Sequence, residues 1–407
     1  MLGHSRLGSP WLGSPWLGCV VLHAYLLLTC SLANASENVR VATFNCSMNR
    51  NEAGQLLSDL QNGSNRQLQK VASVIRRVRP DVVLLNEFDF DAAMDAIRLF
   101  QTHYLDVQPS EDVGFLRGDP LRYPHVLSLP VNTGVPSGRD FDHDGKTDGP
   151  ADAIGFGRFP GQYGMVILSK FPIDRTGIRT FKDLKWNAMP EAVLPIDPAT
   201  SRPWYSVEDL QHLSLSSKSH WDVPISFPGR TIHVLASHPT PPAFDGPEDR
   251  NGRRNHDEIR LWADYVSDKD WIVDDAGLSG GLSNDAPFII LGDLNADPVD
   301  GDTHNHAIDL LLKHSRVQPE PTPTSSGAIY AAENQGERNR SHRGPHAHDT
   351  ADFGDRSVGN LRVDYVLPSR DLRIVASGVF WPRPDEPDFD LIDCSDHRLV
   401  WIDLQLD

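Results

Sequence analysis

Cysteine is scarce, with four residues in 407, and two of them, Cys19 and Cys30, fall in the leading segment. Cys46 and Cys394 remain, so at most one disulfide is open to the folded chain, with two buried free thiols as the alternative. Their neighbours Asn45 and Asp396 decide between these only if the two strand ends meet. Long apolar runs are also missing: beyond residue 35 no stretch is long enough to span a bilayer. Basic charge is in deficit, 38 Lys and Arg against 56 Asp and Glu, for a formal charge of −18. Such a field repels polyanions and disfavours a tight non-specific nucleic-acid binder. What is present is globular: 39% hydrophobic residues, with 31 glycines and 31 prolines to serve a loop-rich fold.

The first 35 residues read as a secretory leader. His4 and Arg6 precede an apolar centre from Val20 to Leu28, and Ala33-Asn34-Ala35 supplies small residues for cleavage. The apolar run is too short for a comfortable span, so no membrane anchor is expected after cleavage. Cleavage removes one basic residue, Arg6, and no acidic one, taking the charge from −18 to −19. A secreted or periplasmic monomer is the expectation. Residues 36–407 then form one domain, with insertions near 102–162, 183–222 and 316–360, where turn formers dominate. No internal repeat appears beyond Gly-Ser-Pro-Trp-Leu in the leader.

Apolar patterning predicts the frame. Val39 to Asn45 alternates as a strand, and Val82 to Leu85 is a continuous run suited to a strand buried on both faces. Met165 to Leu168, Thr231 to Ala236, Phe288 to Leu291, Leu361 to Leu367 and Leu399 to Leu406 supply further strands. Helices are predicted after Ser64, from about Ala92, and from Asn255, where Glu258 three residues on completes a capping box. Strands mixed with helices, without regular βαβ alternation, point to an α/β fold: a four-layer sandwich of two packed mixed sheets flanked by helices.

Polar residues close these apolar runs repeatedly: Asn45, Glu87, His238, Asp293 with Asn295, Asp364, and Asp396 with His397. Each alone reads as a cap or a turn. Together they supply what hydrolysis of a phosphate ester needs, hard oxygen ligands for Mg²⁺ or Mn²⁺ and imidazoles for proton transfer.

The set resembles the endonuclease/exonuclease/phosphatase family. The resemblance lies in Thr43-Phe44-Asn45, Asn86-Glu87, Ser237-His238-Pro239, Gly292-Asp293-Leu294-Asn295, Arg362-Val363-Asp364-Tyr365 and Ser395-Asp396-His397, in that order. It implies a metal-dependent phosphodiesterase or phosphomonoesterase. On that resemblance Glu87 binds the divalent metal, with Asn45 and Asp396 completing or supporting its shell. Asp293 aligns or deprotonates the attacking water, Asn295 holds the phosphate, and His397 faces the scissile phosphate, oriented by Asp364. His238 is a second imidazole at the phosphate or leaving group. Asn86 stands where the family often has Gln, and Ser47 where some members carry a second acid, so one metal or two stays open. A secreted nuclease and a catalytically silent binding protein are the alternatives.

Three further groups stand out. Asp140, Asp142 and Asp144, with Gly145 and Asp148, follow the first part of a calcium loop, but Ala151 replaces its closing glutamate. Arg254 and Asn255 are candidates for phosphate contact at a helix start, or for capping it. His342, His346, His348, Asp349 and Asp352 are either a metal cluster or solvated loop residues.

Overall fold

The computed structural model describes residues 37–108 and 115–406. The leader lies outside the described residues. Strands are numbered in chain order. One sheet runs β12 (Arg373–Val379), β13 (Val400–Leu406), β1 (Glu37–Met48), β2 (Val82–Phe88), β4 (Met165–Ser169) and β3 (His125–Leu127). The other runs β11 (Asp364–Pro368), β8 (Phe288–Asp293), β7 (Arg230–Ser237), β6 (His220–Phe227) and β5 (Arg179–Thr180). A short ribbon pairs β9 (Ala351–Asp352) with β10 (Asn360–Leu361). The β1–β2 and β7–β8 pairs are parallel and their other neighbours antiparallel, so both sheets are mixed.

Alternation along each strand builds the layers. Val39, Val41, Val82, Leu84, Ile289 and Leu291 point between the sheets, where they meet Val223, Ile232 and Val234. Their neighbours Ala42, Phe44, Val83 and Leu85 face outward onto the helix Arg66–Val78. Phe288 and Ile290 face the helix Arg250–Val266 on the opposite side. Helix, sheet, sheet and helix make the expected four layers. Among the described residues no helix is long and apolar enough to cross a membrane.

Several boundaries differ from the sequence expectation. The first long helix is capped by Asn65, whose side chain accepts from Leu68 N, and Ser64 bonds to Asn62 instead. The helix expected from Asn255 begins at Arg250, and Glu258 is no capping partner: its carboxylate accepts from Ser217 N and Thr240 N. The polar first turns hid this start, because Arg254, Asn255, Asp257 and Glu258 are buried while holding loops. The stretch 183–222 is not wholly irregular, since β6 starts at His220 and a short helix spans Val207–His212. Within 316–360 lies the helix Ser326–Gln335, and the single strand expected from Leu361 divides into β10 and β11.

Candidate active site

Register brings the polar strand ends to one rim of the sandwich. Asn45 pairs with Asn86 across β1 and β2, Asp364 with Asp293 across β11 and β8, and Ala351 bridges to His397. Asn86 ties the sheets together: its amide donates to Ser237 O (3.4 Å) and its oxygen accepts from Asp293 N (3.3 Å). Gly292 allows the close approach of β8 to β7. Its φ is +150°, and a Cβ there would lie 2.0 Å from Ser237 O. Left-handed backbone at Ser47, Glu87 and Asn295 marks the same rim. Strain of this kind persists where the surroundings dictate it, often at functional sites.

Asp293 is the hub. Its Oδ2 receives Asn45 Nδ2 at 3.0 Å and lies 3.4 Å from His238 Nε2 and 3.6 Å from His397 Nε2. Burial alone would raise this carboxyl. The charge on His397 and the hydrogen bonds from His238 and Asn45 outweigh it and hold Asp293 well below the usual carboxylate range. The two histidines are pushed apart. Burial and the nearby Lys218 charge lower His238, which stays neutral with one N–H toward Asp293. Burial also opposes charge on His397, but Asp364 at 2.9 Å and Asp293 raise it well above its ordinary value. His397 is therefore an imidazolium with Nδ1–H donating to Asp364 and Nε2–H turned to Asp293. Asp364 is itself pushed up by burial and fixed by Thr350 Oγ1 at 2.8 Å.

The expected phosphate and metal residues take their places around this hub. Asn295 is anchored by its backbone N–H to Asp293 Oδ1 (3.0 Å) and by its side-chain amide to Pro239 O (3.2 Å). Glu87 is half-buried and its Oε1 accepts from Asn45 Nδ2 at 3.1 Å. Asn45 thus bridges Glu87 and Asp293 through its nitrogen, while its oxygen accepts from Ser47 N (3.3 Å). To act as a metal ligand it would have to present that oxygen instead. Asp396 is exposed and accepts from Ser47 Oγ at 3.3 Å. Four carboxylates, those of Glu87, Asp293, Asp364 and Asp396, crowd one rim, a donor set that suits a hard divalent cation. Asp293, Asp364 and His397 bring ligand atoms all within 4.8 Å of one another.

Other candidates fall elsewhere. Arg254 does not face the rim: buried, it donates to the carbonyls of Leu215, Ser214 and Ile154. Asn255 donates to Thr240 O and Leu294 O, bracing two site loops from beneath. Neither is free to bind phosphate, because both are spent on backbone. Asp140, Asp142 and Asp144 do bring oxygens within 4.8 Å of one another, without Asp148. All three also accept from the turn's own amides, Gly145 N, Asp144 N and Lys146 N. His342, His346, His348, Asp349 and Asp352 do not converge on one point. Asp349, pushed up to about 8 by burial and by Asp297 and Asp300, has His346 at 3.4 Å, and Asp352 pairs with Arg398. Cys46 and Cys394 are both buried and free.

Sequence reasoning missed the residues that lock the rim. Gln67 donates to the carbonyls of Cys46, Ser47 and Cys394, joining the segments that carry Asn45 and Asp396. Ser395 Oγ donates to Asn45 O (2.8 Å) and accepts from His397 N. Lys218, buried in the loop before β6, carries no sequence signal, since a lysine among serines forms no motif.

A model of the Endonuclease/Exonuclease/phosphatase family matches residues 42–397. No curated protein matches the chain significantly. Among solved structures it is similar to an endonuclease/exonuclease/phosphatase from Beutenbergia cavernae, at 18% identity and TM-score 0.49, covering 91% of this chain and 72% of that one. It is also similar to sphingomyelinase C from Streptomyces griseocarneus (16%, TM-score 0.43, 90% and 99% covered). The third is TDP2 from Caenorhabditis elegans (13%, TM-score 0.40, 91% and 75% covered).

Proposed function

The chain belongs to the Endonuclease/Exonuclease/phosphatase family, whose members hydrolyse phosphate esters or nucleic acids, and from that premise we propose that it is an exported, divalent-metal-dependent phosphoesterase. The observation that carries the proposal is the convergence on Asp293 Oδ2 of Asn45, neutral His238 and charged His397.

Glu87 and Asp396 would hold the Mg²⁺ or Mn²⁺. When bound, the cation supplies charge neutralisation at the phosphoryl oxygens and acidifies water. The residues account for the rest. A carboxylate held as low as Asp293 is a weak base, so its task is to aim the attacking water in line with the leaving oxygen. His397 presents Nε2–H to the developing negative charge, and Asp364 keeps the ring charged and oriented. Asn295 offers its amide to a phosphoryl oxygen, and His238, neutral with its Nδ1 free of any donor among the described residues, is suited to accept a proton from the attacking water.

The leader pattern supports export, and the acidic charge of −18 supports a small or lipid-like phosphate ester over duplex nucleic acid. A nuclease is the second reading, favoured only by family membership. Purified protein with Mg²⁺ should be incubated with plasmid DNA, RNA, sphingomyelin, inositol phosphates and a chromogenic phosphodiester. Hydrolysis of a non-nucleic ester without DNA or RNA cleavage is the expected result. Cleavage confined to nucleic acid selects the second reading, and no hydrolysis on any substrate contradicts both.

A further inference from the structure

The segment Ser214 to His220 is polar yet buried throughout. A buried loop survives only if its backbone groups are satisfied, and buried side chains meet several of them here. Arg254 takes the carbonyls of Ser214 and Leu215, and Asn132 takes Ser216 O with its side chain and Lys218 O with its backbone. Glu258 Oε1 accepts from both Ser217 N and Ser217 Oγ. His220 is held between Ser216 Oγ and Glu258 O. The loop is a rigid platform.

One group on it is left short. Lys218 is 7% exposed and its ammonium has three protons, but among the described residues its one acceptor is Pro239 O at 3.4 Å. Among the described residues no salt bridge joins it to Glu258, whose carboxylate accepts from Ser217 N, Ser217 Oγ and Thr240 N. Pro239 O also accepts from Asn295 Nδ2, so the ammonium shares a carbonyl with an amide of the rim, directly after His238. Burial lowers the ammonium's pKa, and the charges of Glu258, Glu87 and Asp293 oppose that. A buried cation short of acceptors is costly, and an anionic ligand relieves that cost.

We propose that Lys218 is a phosphate-binding residue of this site, donating with Asn295 to the non-bridging oxygens of the bound phosphoryl group. The proposal rests on the phosphoesterase reading for its location, and its test does not depend on turnover. Inorganic phosphate is titrated calorimetrically into wild-type protein and Lys218→Met with Mg²⁺ present, and the thermal midpoint of each is measured without phosphate. Loss of one charge-assisted contact should weaken phosphate binding by roughly 10- to 10²-fold. The midpoint should hold or rise, because a buried charge has been removed. If Lys218→Met does not fold, Lys218→Gln makes the same comparison. Equal affinity in the variant that folds overturns the proposal, as does wild-type protein indifferent to phosphate. A lowered midpoint with unchanged affinity would identify a structural lysine. Phosphate binding through Lys218 without hydrolysis of any ester would overturn the phosphoesterase reading and leave this site standing.

Discussion

His220 should make the protein lose stability below neutral pH. Its ring is buried and doubly bonded: Nε2–H donates to Glu258 O at 2.9 Å, and Nδ1 accepts from Ser216 Oγ at 2.6 Å. Burial lowers the pKa from 6.5 to about 4, against a weaker opposing pull from Glu258. As pH falls, the unfolded chain takes up this proton near 6.5 and the folded chain not until about 4. The folded state is therefore fully favoured above 6.5, loses ground through that window, and loses no more below it. Linkage gives a loss of about 2 kcal/mol between pH 7 and pH 5, approaching roughly 3 kcal/mol at the limit. Urea denaturation at pH 7 and pH 5 should be run on wild type and His220→Gln. Other groups titrate in the same window, so the readout is the difference between the two pH dependences, which cancels distant sites. The variant should lose about 2 kcal/mol less than wild type between those pH values. Identical pH dependences would refute the argument, whatever the variant's absolute stability.

His397→Ala and Asp293→Ala should each lower turnover by about 10²-fold or more, the scale of a general acid–base or electrostatic group. Circular dichroism should remain native, and near-normal turnover in either variant would show that these residues do not serve the reaction. Asp364→Asn should leave His397 neutral at pH 8, seen as loss of its imidazolium signals by NMR, since its closest anionic partner is gone. A ring still protonated at that pH would place the source of its charge elsewhere. Burial raises both thiols, Cys394 to about 12 and Cys46 further. Neither should react with iodoacetamide in the native protein, and both should react in urea without reductant; thiols that appear only after reduction would establish the disulfide.

Much of the frame was legible because the central strands are buried on both faces or alternate cleanly. Val82 to Leu85 and Phe288 to Leu291 have one solution, and the residues that end them reach the rim with them. Strands with weaker signals were lost. The segment Arg373–Val379 is a half-exposed edge strand, and β6 carries Pro224 and emerges from a serine-rich approach. The helix Arg250–Val266 misled for a different reason. Its polar side chains are buried because they satisfy loop backbone: Arg254 at Ser214 and Leu215, Asp257 at Val193 N and the Trp186 indole, Glu258 at Ser217 and Thr240. Period alone does not show such use. The same limit hid Gln67 and Lys218, whose roles exist only once distant segments meet.

The central claim is that Glu87 serves a metal-dependent phosphoesterase site. The direct measurement is release of nitrophenol from a chromogenic phosphodiester by wild type and Glu87→Gln, each with Mg²⁺, with Mn²⁺ and with chelator. An amide keeps the shape of the side chain and loses the anionic ligand for a hard cation. Wild type should turn over with either metal and stop in chelator, and Glu87→Gln should fold normally and lose most activity with metal present. Full turnover in chelator, or in Glu87→Gln with Mg²⁺, would contradict it.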